Sequence, residues 1–332
     1  MKSGLSFSAA DLAQTRFAVS PMWEVVTSFR LLQDANDPPL HRRWAAQVRP
    51  RLVHAGLDRG WLAELVPARG YLADFLNPTP ASPFPTLVAE LDAIRRTTPA
   101  QVRKDLEMLG VERTDRPSPR LRLLDEAPEA TLEKVAAEIE CYWELALAPY
   151  WARIRKLLEA DVFHRARQVA EHGSARVLSE LHETVRWDDG TLHLVRRHCA
   201  LTRDEAGSGL LLVPSTFAWP RVMTRAVSPD PPQLAYPARG IGNLWEPRAT
   251  SATDAVAVVL GRSRTLLLAE LDTPSSTTQL AQHSGLSAAG VSQHLTALRN
   301  AGLVTAHRSG RSVLYARTSI ADALLTPSAE PA

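Results

Sequence analysis

The sequence predicts a mainly α-helical protein with small β elements, in which a large helical N-terminal domain containing a small sheet precedes a smaller C-terminal domain. Three observations support this prediction. Apolar residues recur at helical spacing along most of the chain, the alternating patterns typical of strands are short, and proline-rich stretches separate the helical blocks. Because 332 residues exceed one ordinary domain, we place the domains at 1–248 and 249–326, with a flexible tail at 327–332.

The first helices are predicted from their caps and apolar spacing. A serine followed by a proline opens a helix over residues 22–32, with Trp23, Val26 and Arg30 along one side. Further blocks follow in order: helices over 40–53 and 102–109, separated by a proline-rich connector over 77–85.

The longest helical pattern covers residues 130–183, and Pro149 interrupts it, so at least two helices are expected there. Apolar side chains share one face of this pattern: Leu132, Val135, Ile139, Trp143 and Leu147. The period then changes to that of strands. Residues 184–187 and 191–194 flank a turn at 188–190, and further short strands are expected at 210–213 and 233–236. The N-terminal domain therefore contains a predicted small sheet.

Two short helices joined by a tight turn begin the C-terminal domain. The first covers residues 262–271, with Leu266, Leu267 and Leu271 at helical spacing, and it ends before Pro274. Ser276 and Gln279 have the spacing of a capping box, which predicts a second helix over 277–283 that ends at a glycine.

The next helix has the pattern of a DNA-recognition helix. Ser287 is its predicted cap, and an apolar stripe of Val291, Leu295 and Leu298 faces the core. The opposite face is small and polar, with Ala289, Ser292, Gln293 and Thr296. Such a face can approach the major groove, where amide and hydroxyl groups bond base edges. The sequence therefore predicts a helix that reads double-stranded DNA.

A predicted hairpin follows the recognition helix, with strands over 303–308 and 311–317 and a tip at Ser309-Gly310. His307, Arg308 and Arg311 flank that tip. Two interpretations are open: the guanidinium groups contact phosphates beside the recognition helix, or they belong to a solvated hairpin tip. The neighbouring helix favours the first.

These elements resemble the winged helix-turn-helix of the ArsR family of bacterial repressors, over about residues 254–325. The similar stretches are QLAQHSGLSAAGVSQHLTALRNAGLV and the hairpin SGRSVLYA. The resemblance implies DNA contact by a set of α-helical residues: Ala288, Ala289, Ser292, Gln293 and His294, with Arg299 near phosphates. For His294, packing within the motif remains an equal alternative. A winged helix used as a protein-docking module is the alternative for the whole domain.

The family's metal sites are not expected here. The resemblance implies two possible metal sites, a thiolate pair on the second helix or a His/Asp/Glu set on the last helix. Here residues 277–284 contain no cysteine, and residues 319–332 contain no histidine. The two cysteines, Cys141 and Cys199, lie far upstream. We therefore expect no metal and no cofactor.

Three stretches of the N-terminal domain resemble an uncharacterised domain found upstream of ArsR-type winged helices: residues 17–34, 41–44 and 67–76. The resemblance covers most of 1–245 and implies a regulatory or assembly role. All eight tryptophans lie upstream of the winged helix. Two interpretations are open: the tryptophans pack in the core, or some of them, Trp143 and Trp151 foremost, line a site for a small-molecule effector. We find no nucleophile elbow, phosphate-binding glycine loop or metal-spaced cluster, which argues against an enzyme.

We expect a cytoplasmic transcriptional regulator that represses as a homodimer. Asp11 and the lack of a long apolar run argue against a secretory signal and a membrane span. A net charge of +2 supplies no broad attraction for nucleic acid, so affinity must come from local contacts in two copies. The resemblance implies dimerisation through flanking helices, here only residues 253–260 and 320–325, and we expect the N-terminal domain to contribute. An enzymatic or ligand-sensing N-terminal domain is the remaining alternative.

Overall fold

The structure is a computed structural model that describes residues 2–6, 8–34, 39–111, 118–188, 191–195, 208–245, 256–309 and 312–325. The chain forms two compact units, residues 1–245 and 246–332. Helices dominate both, and the strands are short. The predicted fold class, mainly α with small β elements, is confirmed. The predicted tail at 327–332 lies outside the described residues.

The helices of the N-terminal unit are α1 (Ala9–Ala13), α2 (Pro21–Gln33), α3 (Arg42–His54), α4 (Trp61–Leu65), α5 (Leu87–Arg95), α6 (Pro99–Val111), α7 (Pro119–Glu126), α8 (Pro128–Ala146), α9 (Trp151–His172) and α10 (Ser174–Ser179). Its strands are β1 (Lys2–Ser6), β2 (Arg16–Phe17), β3 (Val185–Asp188), β4 (Thr191–Val195), β5 (Leu211–Ser215), β6 (Met223–Arg225) and β7 (Gln233–Pro237). Single turns of 3₁₀ helix include Pro39–His41 and Ile241–Asn243.

The C-terminal unit contains α11 (residues 256–260), α12 (Arg262–Glu270), β8 (Ser275–Ser276), α13 (Thr277–Ser284), α14 (Ala288–Asn300), β9 (Val304–Ser309), β10 (Ser312–Arg317) and α15 (Ser319–Leu325). None of the helices in the described segments is long and apolar enough to span a bilayer.

Helix α2 is the central helix of the N-terminal unit. Ser20 caps it by accepting the N–H of Trp23 at 3.2 Å, and Pro21 occupies the first turn, as the sequence predicted. Burial extends beyond the side that carries Trp23 and Val26, because every residue from Pro21 to Leu32 except Arg30 is buried. Arg30 lies at the edge and donates to the carbonyl of Pro67 at 2.9 Å. Neighbouring elements therefore surround this helix on all sides.

The long helical pattern after residue 127 is interrupted at Pro149, as the sequence predicted. Helix α8 ends at Ala146, one turn of 3₁₀ helix contains Pro149, and α9 begins at Trp151. The five apolar residues that the sequence placed on one face are all buried: Leu132, Val135, Ile139 and Trp143 in α8, and Leu147 just after it. The rings of Trp143 and Trp151 meet edge to face, with centroids 4.9 Å apart.

Two sheets replace the single small sheet that the sequence predicted. The hairpin β3–β4 forms as expected, although its turn at 189–190 lies outside the described residues, and β1 adds to β4, giving the order β1-β4-β3. The second sheet has the order β2-β5-β7-β6. In it β2, β5 and β7 are parallel, so their carboxyl ends share one edge.

The second sheet separates two apolar cores. Leu211 and Val213 face the large core built on α2, α3 and α8, whereas Leu210 and Leu212 face a smaller core with β3, β4 and α10. Alternate residues of a strand point to opposite faces. Strand β5 is therefore buried on both faces, which explains its continuous apolar sequence.

Two buried carboxyl groups join α2 to its neighbours. Glu24 accepts the N–H of Thr216, just after β5, at 2.9 Å. Glu90 of α5 accepts the hydroxyl of Ser20 at 2.6 Å and the N–H of Met22 at 2.8 Å. Burial raises the pKa of Glu24 and of Glu90 to about 7 in each case, since the core disfavours the charged form.

Candidate nucleic-acid interface

Four helices of the C-terminal unit, α12 to α15, enclose one small apolar core. Its buried members come from these helices, from the residue after α12 and from the start of the hairpin: Leu267, Leu268, Leu271, Leu280, Val291, Leu295, Leu298, Leu303, Val304 and Ala321. Of the three leucines noted at helical spacing, Leu267 and Leu271 are buried and Leu266 is only half-buried, whereas Leu268, outside that set, is buried. Three consecutive leucines fit more than one helical phase, so periodicity alone did not select the face.

The capping box of α13 forms as predicted. Ser276 Oγ accepts the N–H of Gln279 at 3.3 Å, and Gln279 Oε1 accepts the N–H of Ser276 at 2.8 Å. Gly285 ends the helix with φ of +71°, a conformation that glycine adopts without steric cost. The helix includes Ser284, one residue beyond the predicted end. These local bonds fix the tight turn that leads into α14.

Helix α14 presents two chemically different faces. Ser287 Oγ accepts the N–H of Gly290 at 3.2 Å and so caps the helix. Val291, Leu295 and Leu298 are buried on the inner face. The predicted contact residues lie on the other side and are exposed: Ser287, Ala288, Ala289, Ser292, Gln293, Thr296 and Arg299. The expected amphipathic division of this helix is confirmed.

The polar side chains on the exposed face of α14 differ in whether they already form hydrogen bonds within the protein. Thr296 donates its hydroxyl to the carbonyl of Ser292 at 2.9 Å, which leaves its oxygen lone pairs as acceptors. The side-chain amide of Gln293 forms no hydrogen bond with any residue the structure describes, so it can donate and accept outward. His294 is half-buried at the border of this face, where both packing and outward contact are sterically open.

The hairpin after α14 has one more strand than predicted. β9 and β10 pair antiparallel, and β8 pairs with Leu314 and Tyr315 of β10, giving the order β8-β10-β9. Ser309, assigned to the tip, instead pairs with Ser312 within the ladder. His307 and Arg308 are exposed near the end of β9. Residues 310–311, among them the predicted contact residue Arg311, lie outside the described residues.

The described arginines of the C-terminal unit differ in whether their side chains have a partner. Arg264 is exposed and donates to the carbonyl of Leu260 at 3.3 Å. Arg317 is partly buried and pairs with Asp322 at 2.8 Å, so it belongs to the framework. The side chains of Arg262, Arg299 and Arg308 are exposed and make neither a hydrogen bond nor an ion pair within the described residues. Their charges are available to an external anion.

Helices α11 and α15 flank the small core and expose apolar side chains. Leu260 and Leu325 pack against the core. Val258 and Val259 of α11 are 87% and 82% exposed, and Ile320 of α15 is 62% exposed. Both flanking helices therefore expose aliphatic side chains to solvent in the single chain.

No group of three or more metal-ligating side chains occurs in the described segments. Cys141 is exposed on α8 and free, and Cys199 lies outside the described residues.

Comparison with protein families gives two matches. Residues 265–306 match the family described as bacterial regulatory protein, arsR family, and residues 120–242 match a family of unknown function, DUF5937. Both resemblances drawn from the sequence are thereby confirmed, and the C-terminal unit contains an ArsR-type helix-turn-helix. The upstream match excludes residues 17–34, 41–44 and 67–76, on which that resemblance rested. No curated protein and no solved structure matched the chain.

Proposed function

We propose that this protein is a transcriptional regulator that binds promoter DNA as a homodimer and represses by occupying the promoter. One observation carries the proposal: a capped helix-turn-helix presents a third helix, α14, whose outer face is small and polar. Large apolar side chains would obstruct a groove, whereas alanine, serine and glutamine permit close approach. The family match at 265–306 supports the same function.

Each contact residue has a role that follows from its side chain. Ser292, Gln293 and Thr296 read base edges, because amide and hydroxyl groups pair with donors and acceptors in the major groove. Ala288 and Ala289 lie in the first turn, where free N–H groups and the helix dipole favour phosphates.

Backbone contacts hold the helix in register. The proposed phosphate contacts are Ser287 at the cap, Arg299 at the end of α14, and His307, Arg308 and Arg311 on the hairpin. His294 contributes at the border of the reading face. These contacts supply affinity on any duplex, while the residues of α14 supply sequence preference.

A homodimer places two copies of α14 on successive major-groove faces, about 34 Å apart. The exposed aliphatic side chains of α11 and α15 support dimerisation through the flanking helices. Both helices are short, at five described residues and seven residues. We therefore propose that the N-terminal unit adds to the dimer interface.

Selection of genomic fragments by the purified full-length protein tests this function. The wild type should enrich a two-fold symmetric sequence. Gln293→Ala should lose preference at one or two base pairs per half-site, at a cost of about 1–3 kcal/mol per lost bidentate contact. Gln282→Ala, on the exposed side of α13, is the matched control and should retain the wild-type preference. Enrichment of no fragment by the folded wild type would refute the proposed function.

A further inference from the structure

Four side chains in the N-terminal unit surround the indole of Trp245. They are His41, Trp44, Tyr150 and Phe217, which we call the aromatic box. Their ring centroids lie 6.0, 6.1, 5.4 and 6.1 Å from that of Trp245. The walls also contact one another, with Phe217 4.6 Å from Trp44 and 4.8 Å from His41. The box is thus a continuous aromatic surface around one planar group.

One directional polar contact holds the indole in the box. Trp245 Nε1 donates to Nδ1 of His41 at 3.0 Å. Burial lowers the pKa of His41 to about 4, so its ring is neutral at physiological pH and Nδ1 can accept. The box therefore combines flat apolar walls with a single acceptor, which is the composition of a site for an aromatic N–H donor.

The burial of the five rings shows which side of the box is open. His41, Trp44 and Phe217 are almost fully buried, at 0%, 1% and 2% exposure. Tyr150 and Trp245 are partly exposed. The indole and Tyr150 thus lie on the solvent-facing side of the box.

The box lies where sheets of this kind bind ligands. Phe217 follows the carboxyl end of β5, and the segment that contains Trp245 follows the carboxyl end of the parallel neighbour β7. Crevices at the carboxyl ends of parallel strands are the usual ligand sites of open α/β sheets. The N–H of Thr216, adjacent to Phe217, is held by Glu24, so this edge is also fixed to α2.

Trp245 is the final residue of the N-terminal unit, and the second unit begins at residue 246. Residues 240–245, here called the strap, lie on the core through Ile241 and Leu244, which are 5% and 2% exposed. The indole of Trp245 is thus a further anchor of the strap, beside Ile241 and Leu244, and in sequence it is the anchor nearest the C-terminal unit.

We propose that the aromatic box is an effector site for a planar aromatic molecule bearing an N–H donor, and that Trp245 is its intramolecular occupant. Binding of the effector displaces the Trp245 indole and releases the strap from the core. The regulatory consequence rests on the proposed function: release of the strap changes the affinity of the regulator for its DNA. An indole serves as the probe, because the box already accommodates that ring system.

Hydrogen exchange of the full-length wild type tests displacement directly. The N–H of Leu244 donates to the carbonyl of Ile241 at 3.0 Å and reports on the strap. Millimolar indole should accelerate exchange over 241–245 at least fivefold, whereas 1-methylindole, which lacks the donor, should have little effect at the same concentration. Unchanged exchange in saturating indole would refute displacement.

Calorimetry with Trp245→Ala tests the site itself. The truncation removes the competing indole, so free indole should bind with 1:1 stoichiometry and at least tenfold more tightly than to the wild type. Trp187→Ala is the matched control, since Trp187 is a partly buried tryptophan that packs on the other core. If folded Trp245→Ala binds indole no better than this control, the site assignment is wrong. If the variant does not fold, wild-type exchange decides alone.

DNA binding then tests the consequence separately. With the selected operator, saturating indole should shift the wild-type Kd at least fivefold. Trp245→Ala should show the indole-saturated Kd without indole and no further shift upon its addition. Indole binding without any shift in the Kd for DNA would refute the regulatory link. If the protein binds no DNA at all, the proposed function is refuted, and hydrogen exchange and calorimetry still test the aromatic box as a binding site.

Discussion

The buried carboxyl of Glu24 should make the stability of the N-terminal unit depend on pH in a defined direction. Its pKa is raised from 4.5 to about 7 by burial. Below pH 4.5 the carboxyl is protonated in both the folded and the unfolded state, so its contribution to the free energy of unfolding is fully present. As the pH rises towards 7, the unfolded chain loses the proton first, so the folded state is progressively disfavoured.

Glu24→Gln removes this dependence because the amide does not ionise. A difference of about 2.5 pKa units corresponds to about 3 kcal/mol. The free energy of unfolding of the wild type, minus that of Glu24→Gln, should therefore fall by about 3 kcal/mol between pH 4 and pH 8.

Urea unfolding followed by tryptophan fluorescence measures this difference for the correct unit. All eight tryptophans lie at or before residue 245, so the signal reports the N-terminal unit alone. Glu107→Gln, an exposed carboxyl in the middle of α6, is the control. A wild-type minus Glu24→Gln difference that stays constant across this pH range would refute the assignment of Glu24 as a buried acid.

Three further perturbations address the C-terminal unit. Arg308→Ala should weaken binding to every duplex and lower the slope of log Kd against log salt concentration by about 1. Arg122→Ala in the N-terminal unit is the control and should leave both unchanged. A wild-type slope for Arg308→Ala would show that Arg308 does not contact a phosphate. Val258→Asp should convert a dimer to a monomer in light scattering, and a persistent dimer would exclude α11 from the interface. Ser276→Ala removes the cap of α13 and should cost about 1 kcal/mol in thermal unfolding; no loss would exclude a stabilising capping box.

Sequence reasoning succeeded where structure is decided by neighbours along the chain. The capping box at Ser276, the left-handed Gly285 and the apolar stripe of α14 are set within four residues, and each is where the sequence placed it. The exposed face of α14 follows from the same spacing. The candidate reading helix was therefore fully predictable.

Elements that depend on distant partners were missed. Strand β2 has two residues, which show no periodicity, and Arg16 pairs with Leu211. Strand β8 is equally short and forms because β10 supplies its partner. The aromatic box joins Trp44 to Trp245, whereas the sequence favoured Trp143 and Trp151 because tyrosines accompany them. Only folding reveals which rings converge.

The strand pairing of β8 has a mechanical consequence for DNA recognition. Ser275 and Ser276 pair with the middle of β10, and Ser276 also caps α13, so one residue links the hairpin to the helices. Because this link restrains the hairpin relative to α13 and α14, we expect the distance between the groove contact and the backbone contact to change little on binding. Under the proposed function, duplexes of unequal groove width must themselves bend or twist to fit, and selectivity extends to base pairs that no side chain touches.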